Sequence, residues 1–402
     1  MTEVGARTIL YASYVSPFPP HSGERIRVLN LIAAFRALGF GVEAIVGNHD
    51  GVELEAQNRN GVRFHQIPFA WPRLRQALST YFRPNRAFID QVRALHRAKP
   101  LAAIVLDYGF MGAQIGALSG LGIPIVLGTH NLESKLTGQV RKGSLVGDAT
   151  IRLRQAIECA HERLFFRKAD AVLCVSDEDG QAYARFLPED RLHVVPNFID
   201  IADCYTDVER ENRIIMTGSF GNFQNVEGLR WFVNEVWDER LHARTSLCVA
   251  GRLSDRASEE FAHIPGIVGL GTREDLLGEM VRSRAAIVPL WHGGGTRLKC
   301  LEAMATRTPV IATSKGCEGI RHRGAFRVAD EVASFRAAIL DVLDNPGKAA
   351  QDADRARAIF DSDYSLAANA ARLQCALASA GHVHAARGKA LVKARGPQQP
   401  VA

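Results

Sequence analysis

Short runs of consecutive apolar residues recur along the chain at Thr8–Ala12, Val42–Val46, Ala102–Leu106, Ile123–Leu127, Ala171–Val175 and Leu192–Val195. Unbroken runs of this length read as parallel strands covered on both faces by helices, whereas a half-exposed strand alternates. Between the first two runs, a loop with Pro17, Pro19, Pro20 and Gly23 leads into a helical pattern from Arg25 to Leu38, which makes a β-α-β unit. That loop lacks Gly-x-Gly-x-x-Gly, so a dinucleotide site at this first turn is not expected. A helix from about Ile151 to Lys168 precedes the run at Ala171. The polar stretch from Pro196 to Asn212 marks a boundary. A second series then begins at Arg213–Met216 and continues at Ser246–Ala250, Ile267–Leu270, Ala286–Pro289, Val310–Thr313 and Phe326–Val328. The pattern predicts an α/β protein with two doubly wound, Rossmann-like domains.

The stretch Trp291-His-Gly-Gly-Gly-Thr-Arg-Leu-Lys-Cys-Leu-Glu302 joins two of these runs and reads as strand, glycine turn, helix, strand. Successive glycines let backbone amides crowd an anion, a helix N-terminus adds its positive dipole end, and Arg297 and Lys299 bring full charges. Lying two residues apart, these cations cannot share one helix face, and Lys299 is the stronger candidate for a diphosphate. Glu302, one turn further on, reads either as a solvated helix glutamate or as a bidentate acceptor for the diol of a ribose. The apolar neighbours Ala303, Met304 and Ala305 favour the second reading, because a carboxylate beside a packed face needs a partner.

The segment from Gly293 to Ile320 resembles the donor site of family 4 retaining glycosyltransferases, which have the GT-B fold. His130–Glu133, Ala169–Ser176, Val194–Asp200 and Met216–Asn225 resemble further landmarks of that family in its order, so the likeness takes in most of residues 7–380. The resemblance implies two domains facing across a cleft. Residues 1–198 form an acceptor-binding half, residues 199–360 a nucleotide-sugar half, residues 361–381 a helix crossing back to the first half, and residues 382–402 a basic tail expected to be disordered. The activity implied is transfer of a sugar from a nucleoside-diphosphate sugar to a hydroxyl of a glycan or lipid-linked acceptor in polysaccharide or glycolipid assembly, with retention and without a metal or other cofactor. In such a mechanism the leaving diphosphate helps deprotonate the acceptor, and the protein holds the reactants and stabilises the phosphate charge.

On this resemblance His130, Arg297 and Lys299 are the residues expected to act in catalysis. Gly218, Arg252, Gly293, Gly294, Gly295, Thr296 and Glu302 are expected at the donor, and Gly23, Glu24 and Asn131 on the acceptor side. His130 also follows an apolar strand, at the carboxyl end where α/β sheets bind ligands. Its other reading is a structural histidine bonded to a carbonyl, and Glu133 reads equally as a first-turn acid favoured by the helix dipole. Two departures from the family pattern stand out. Gly294 occupies the place where many members carry a glutamate, and the loop Gly218–Asn225 lacks the arginine and lysine that many use for the diphosphate. Charge compensation then falls to Arg297, Lys299 and Arg252. The departures keep two rivals open, a catalytically silent nucleotide-sugar-binding module and an epimerase on the same architecture.

Composition narrows the partners. The net charge of +6 calls for an anionic partner, but no nucleic-acid module accompanies it. Arg73, Arg75, Arg83, Arg86, Arg93 and Arg97 are interleaved with Trp71, Leu74, Leu78, Tyr81, Phe82, Phe88 and Leu95. That pattern fits either an anionic membrane surface or a helix pair with its apolar face in the core. No apolar run reaches the roughly 20 residues of a membrane span, and the first residues do not read as a signal peptide. The expected location is the cytoplasm, with peripheral contact at the inner face of the membrane as the lipid-binding alternative. The seven cysteines fall in no metal-ligand spacing.

Overall fold

The computed structural model describes residues 7–19, 23–47, 58–59, 61–68, 81–139, 145–201, 208–292 and 296–395. The chain forms two compact units, one of residues 1–196 with 369–402 and one of residues 197–368. The first boundary falls two residues before the one expected. At the other end, the crossing back to the first unit begins at Asn369, not at residue 361.

In the first unit the strands are β1 (Thr8–Ser13), β2 (Gly41–Gly47), β3 (Asn58–Arg59), β4 (Val62–Ile67), β5 (Leu101–Asp107), β6 (Ile125–Gly128), β7 (Ala171–Cys174) and β8 (Leu192–Val194). They lie in the order β3-β4-β2-β1-β5-β6-β7-β8, all pairs parallel except β3 with β4. The runs read from the sequence are strands within a few residues. Strand β4 was not read, because it alternates: Val62, Phe64 and Ile67 are buried while Arg63 is exposed. The helix Gly23–Ala37 follows β1 and buries Val28, Leu31, Ile32 and Phe35.

Two expectations from the sequence concern particular helices. Helix Arg86–Ala98 buries Phe88, Ile89 and Val92 in the core and leaves Arg86, Arg93 and Arg97 exposed. Its apolar face is therefore spent on the protein, and the core reading holds for this helix; Arg73 and Arg75 lie outside the described residues. The tail expected to be disordered from residue 382 is helical to Arg395, at the end of one helix, Leu366–Arg395. Alanine-rich sequence favours helix, and the buried Asp170 anchors it, accepting from Arg387 Nη1 at 2.8 Å and lying 3.2 Å from His384 Nδ1.

In the second unit the strands are β9 (Glu211–Thr217), β10 (Ser246–Ala250), β11 (Ile267–Gly271), β12 (Ser283–Val288), β13 (Val310–Ala312) and β14 (Arg327–Val328), in the parallel order β11-β10-β9-β12-β13-β14. Its core joins Ile214, Met216, Leu247, Val249 and Ile287 of the sheet to Leu229, Phe232, Phe335 and Ile339 of the helices. Ile199 pairs with Ser365, so the two chain segments at the limits of this unit lie side by side. Among the described residues no helix is long and apolar enough to cross a membrane.

Each sheet has one place where the strand order reverses, between β1 and β5 in the first unit and between β9 and β12 in the second. Crevices open beyond the carboxyl ends of strands at such points, and ligands of α/β sheets bind there.

Candidate functional site

In the second unit, Gly218 follows β9, Arg252 follows β10 by two residues, and Arg297 caps the helix Leu298–Ala305 that leads away from β12. The loops after β9 and β10 are zipped together, with Gly218 N donating to Ala250 O at 3.0 Å and Phe220 N to Arg252 O at 2.8 Å. Two glycines permit this approach. Gly251 has φ +119° and a Cβ there would strike the Gly218 carbonyl, while Gly218 has φ +155° and a Cβ there would lie 2.9 Å from Asn225 Nδ2 and 3.0 Å from Lys299 Nζ.

Lys299 Nζ donates to Asn225 Oδ1 at 2.8 Å, and Asn225 Nδ2 donates to Ser219 O at 2.8 Å. Arg252 Nε donates to Ser219 Oγ at 3.1 Å. Arg297 turns elsewhere, donating to the carbonyls of Lys315 and His292 at 3.4 Å. The two cations thus divide as their spacing predicts, and Lys299 is the one beside Gly218. Burial pushes the Lys299 ammonium down to about 8, against the pull of Cys300 and Glu302. Burial raises the Glu302 carboxyl, opposed by Lys299. Among the described residues neither Lys299 nor Arg252 has a salt bridge, and no hydrogen bond to the Glu302 carboxylate is found. The site therefore presents cations without a counter-anion and a carboxylate without donors. Thr296 is half-buried at the entrance to the helix. Gly293, Gly294 and Gly295 lie outside the described residues.

In the first unit, Gly23 opens the helix after β1 with Glu24 in its first turn, Asp107 ends β5, and His130 and Asn131 follow β6. His130 Nε2 lies 2.8 Å from Asp107 Oδ2, and both residues are buried. The Tyr108 ring stacks on the His130 ring with centroids 4.0 Å apart and planes 18° from parallel. Burial first, then the neighbouring Glu24 carboxylate, raises the Tyr108 hydroxyl. The unit thus brings together Glu24, Asp107, Tyr108 and His130 at its switch point. Asn131 holds its place through its carbonyl, which accepts from Tyr183 Oη at 3.3 Å.

Behind Asn131 lies a small cavity lined in part by Tyr81, Asn131, Glu133, Glu158, His161 and Glu162. Glu158 Oε1 accepts from Tyr81 Oη at 3.0 Å and from Arg154 Nε at 2.8 Å, and Glu162 accepts from Ser134 Oγ at 2.6 Å. Burial pushes the Glu133 carboxyl up to about 7, with Glu158 and Glu162 adding repulsion. A first-turn acid stabilised by its helix dipole would shift the other way, so burial, reinforced by the neighbouring carboxylates, outweighs the dipole.

The sequence reading missed Asp107, Tyr108 and Asn225. Asp107 had a signal, since it directly follows the run Ala102–Leu106 at a strand's carboxyl end, as His130 follows one. Asn225 had only its place in the loop.

A glycosyltransferase family model, described as Glycosyl transferase 4-like domain, matches residues 22–197, and a second, described as Glycosyl transferases group 1, matches residues 211–345. A search of curated proteins finds no match. Among solved structures, the chain is similar to sucrose-phosphate synthase from Thermosynechococcus elongatus, with TM-score 0.68 and 16% identity over 92% of this chain and 98% of that one. It is also similar to WaaG, a glycosyltransferase involved in lipopolysaccharide biosynthesis, with TM-score 0.61 and 14% identity over 92% and 98% of the two chains. A third similar structure is HepE of Anabaena in complex with UDP, with TM-score 0.63 and 13% identity over 92% and 100%. These likenesses extend over both Rossmann-like units and carry the GT-B fold. With one glycosyltransferase model on each unit and glycosyltransferase structures matching both, the chain belongs to the group 1 glycosyltransferases.

Proposed function

We propose that the chain is a retaining, metal-independent glycosyltransferase of family 4 that moves a sugar from a nucleoside-diphosphate sugar to a hydroxyl of a glycan or lipid-linked acceptor. The observation that carries this reading is the pairing of Lys299, a half-buried cation without a salt bridge among the described residues, with Gly218, at whose position a Cβ would lie 3.0 Å from its Nζ. A pyrophosphate supplies the charge that Lys299 lacks, and the missing side chain at Gly218 leaves it room. Glu302, three residues further along the same helix, takes the ribose diol. In this reading Lys299 and the amides at the start of the 298–305 helix stabilise the phosphate as the sugar departs, Arg252 assists the diphosphate, and Arg297 holds the His292 carbonyl. His130 and its neighbours Glu24 and Asn131 meet the transferred sugar and the acceptor. HepE has been solved with UDP and with UDP-glucose, which makes uridine the first base to test.

A peripheral place at an anionic membrane surface is part of the proposal. Its remaining support is the exposed set Arg83, Arg86, Arg93 and Arg97. Unchanged sedimentation with anionic vesicles after these four are replaced would remove it.

The reading is tested by thermal shift with UDP, GDP and ADP on the parent chain and on Glu302→Ala. A nucleotide at about 100 times its dissociation constant adds ~2.7 kcal/mol, a shift of several degrees. The expected result is a shift with one base that Glu302→Ala abolishes. No shift with any nucleotide overturns the donor site.

A further inference from the structure

The contact between His130 and Asp107 is built with more care than a chance ion pair. Asp107 pairs with Gly128 across β5 and β6, so the parallel register brings the residue two places beyond Gly128 over the Asp107 carboxylate. A Cβ at position 128 would lie 2.7 Å from Asp107 Oδ1, so glycine is what leaves the carboxylate its space. The ring is held on one face by Tyr108, a non-glycine residue with φ +110°. A backbone conformation of that kind costs on the order of 1–3 kcal/mol and persists where the surroundings impose it. The charged and polar groups around the pair are Arg27, Tyr11, Tyr108 and Glu24.

The placement of the proton follows. Burial of Asp107 works to raise its carboxyl, yet the His130 ring, Arg27 and Tyr11 together hold it below the ordinary carboxylate value, so it is ionised at neutral pH. An ionised carboxylate has lone pairs only, so the hydrogen in the 2.8 Å contact belongs to His130 Nε2. In the neutral ring the remaining nitrogen, Nδ1, then carries the lone pair.

We infer that Asp107 is a positioning residue which locks the His130 ring in its Nε2–H tautomer, so that His130 presents Nδ1 to a bound sugar as the acceptor of a hydroxyl hydrogen. The sugar contact rests on the proposed function, whereas the tautomer does not. The consequence for specificity is that a sugar with a hydroxyl opposite Nδ1 is favoured over its deoxy or O-methyl analogue, neither of which has a hydrogen to give.

The tautomer is read directly on the full-length chain labelled with 15N-histidine, with the His130 signals identified by their loss in His130→Gln. The expected spectrum of the parent chain at pH 8 shows a protonated Nε2 and an unprotonated Nδ1. In Asp107→Asn, whose amide can donate as well as accept, the ring is expected to shift toward a mixture of tautomers. A protonated Nδ1 in the parent chain, or an unchanged tautomer in Asp107→Asn, overturns the inference. Kinetics give a second reading, with UDP-glucose as probe and release of UDP as signal. Asp107→Asn is expected to lower kcat on the order of 10–100-fold with KM little changed, as for a misplaced group at the reacting centre, and Asp107→Glu to recover part of it. Full activity in Asp107→Asn sinks the inference while leaving the proposed function intact. Absence of UDP release from the parent chain counts against UDP-glucose as donor, and the tautomer measurement still decides the role of Asp107.

Discussion

The two switch points of this molecule handle charge in opposite ways. At the first, the ionised Asp107 faces the His130 ring at 2.8 Å, stacked beneath Tyr108, and the charge is answered inside the protein. At the second, Lys299 is held by a neutral amide and Arg252 by a hydroxyl, and the nearby Glu302 makes no salt bridge with either among the described residues. A site that satisfies its own charges is arranged to hold a side chain still. A site that leaves a half-buried lysine without a salt bridge among the described residues is arranged to receive an anion, because the interaction it lacks within the protein becomes available to the ligand.

Removing one member of each arrangement should therefore have opposite effects on stability. His130→Ala leaves a buried carboxylate without its ring and is expected to destabilise the first unit by about 3 kcal/mol, the lower end of the cost of breaking a buried pair. Chemical denaturation measures this, and a loss below about 1 kcal/mol would remove the contrast. Lys299→Met is expected to leave the empty protein as stable as the parent or more so by roughly 1 kcal/mol. The same change should weaken nucleotide binding on the order of 10–100-fold, the value of a charge-assisted contact. Equal binding by parent and variant would show that Lys299 does not face the diphosphate.

The carboxylates behind Asn131 sharpen the picture, since here the first unit leaves like charges crowded. The folded value of Glu133, about 7, lies above the usual carboxylate value. Its protonated form therefore favours the fold, a contribution that is whole below about pH 4.5 and is lost as pH rises through about 7. Glu133→Gln should accordingly gain stability over the parent between pH 5 and pH 8, by about 1–2 kcal/mol after allowance for its partial exposure. A gain independent of pH would argue against a raised Glu133 carboxyl.

The smallest effect expected is a proton. Burial pushes the Lys299 ammonium down to about 8 in the protein alone, and a bound diphosphate raises it by favouring the charged form. Nucleotide binding at about pH 8.5 should take up a fraction of a proton, and affinity should fall as pH rises past that point. Calorimetry in buffers of different ionisation enthalpy measures the uptake, and identical enthalpies in all buffers would refute it.

Much of this was legible along the chain. The apolar runs are strands because parallel sheets bury both faces, and the second-unit run Ser246–Ala250 falls on β10 residue for residue. The glycine-rich stretch and its flanking residues identified the helix that carries Arg297, Lys299 and Glu302. Less legible was strand β4, whose alternation lies outside a search for unbroken runs. The arginine-rich segment was ambiguous for a different reason, since an amphipathic pattern shows that a helix has an apolar face without showing what covers it. Packing of Phe88, Ile89 and Val92 settled that for the 86–98 helix.

The sequence alone determined the alternation of strands and helices over most of the chain, the division into two Rossmann-like units and the strand ends that His130, Gly218 and Arg252 follow, because these follow from local periodicity and turn chemistry. Tertiary structure alone decided which of those residues meet. Asp107 and His130 are 23 residues apart in the chain, and Asn225 and Lys299 are 74 apart. Each pair is joined only when sheet registration and the loops at the strand ends bring them together. Hydrogen-bond partners and charge balance are set by such approaches in space, and no local pattern records them.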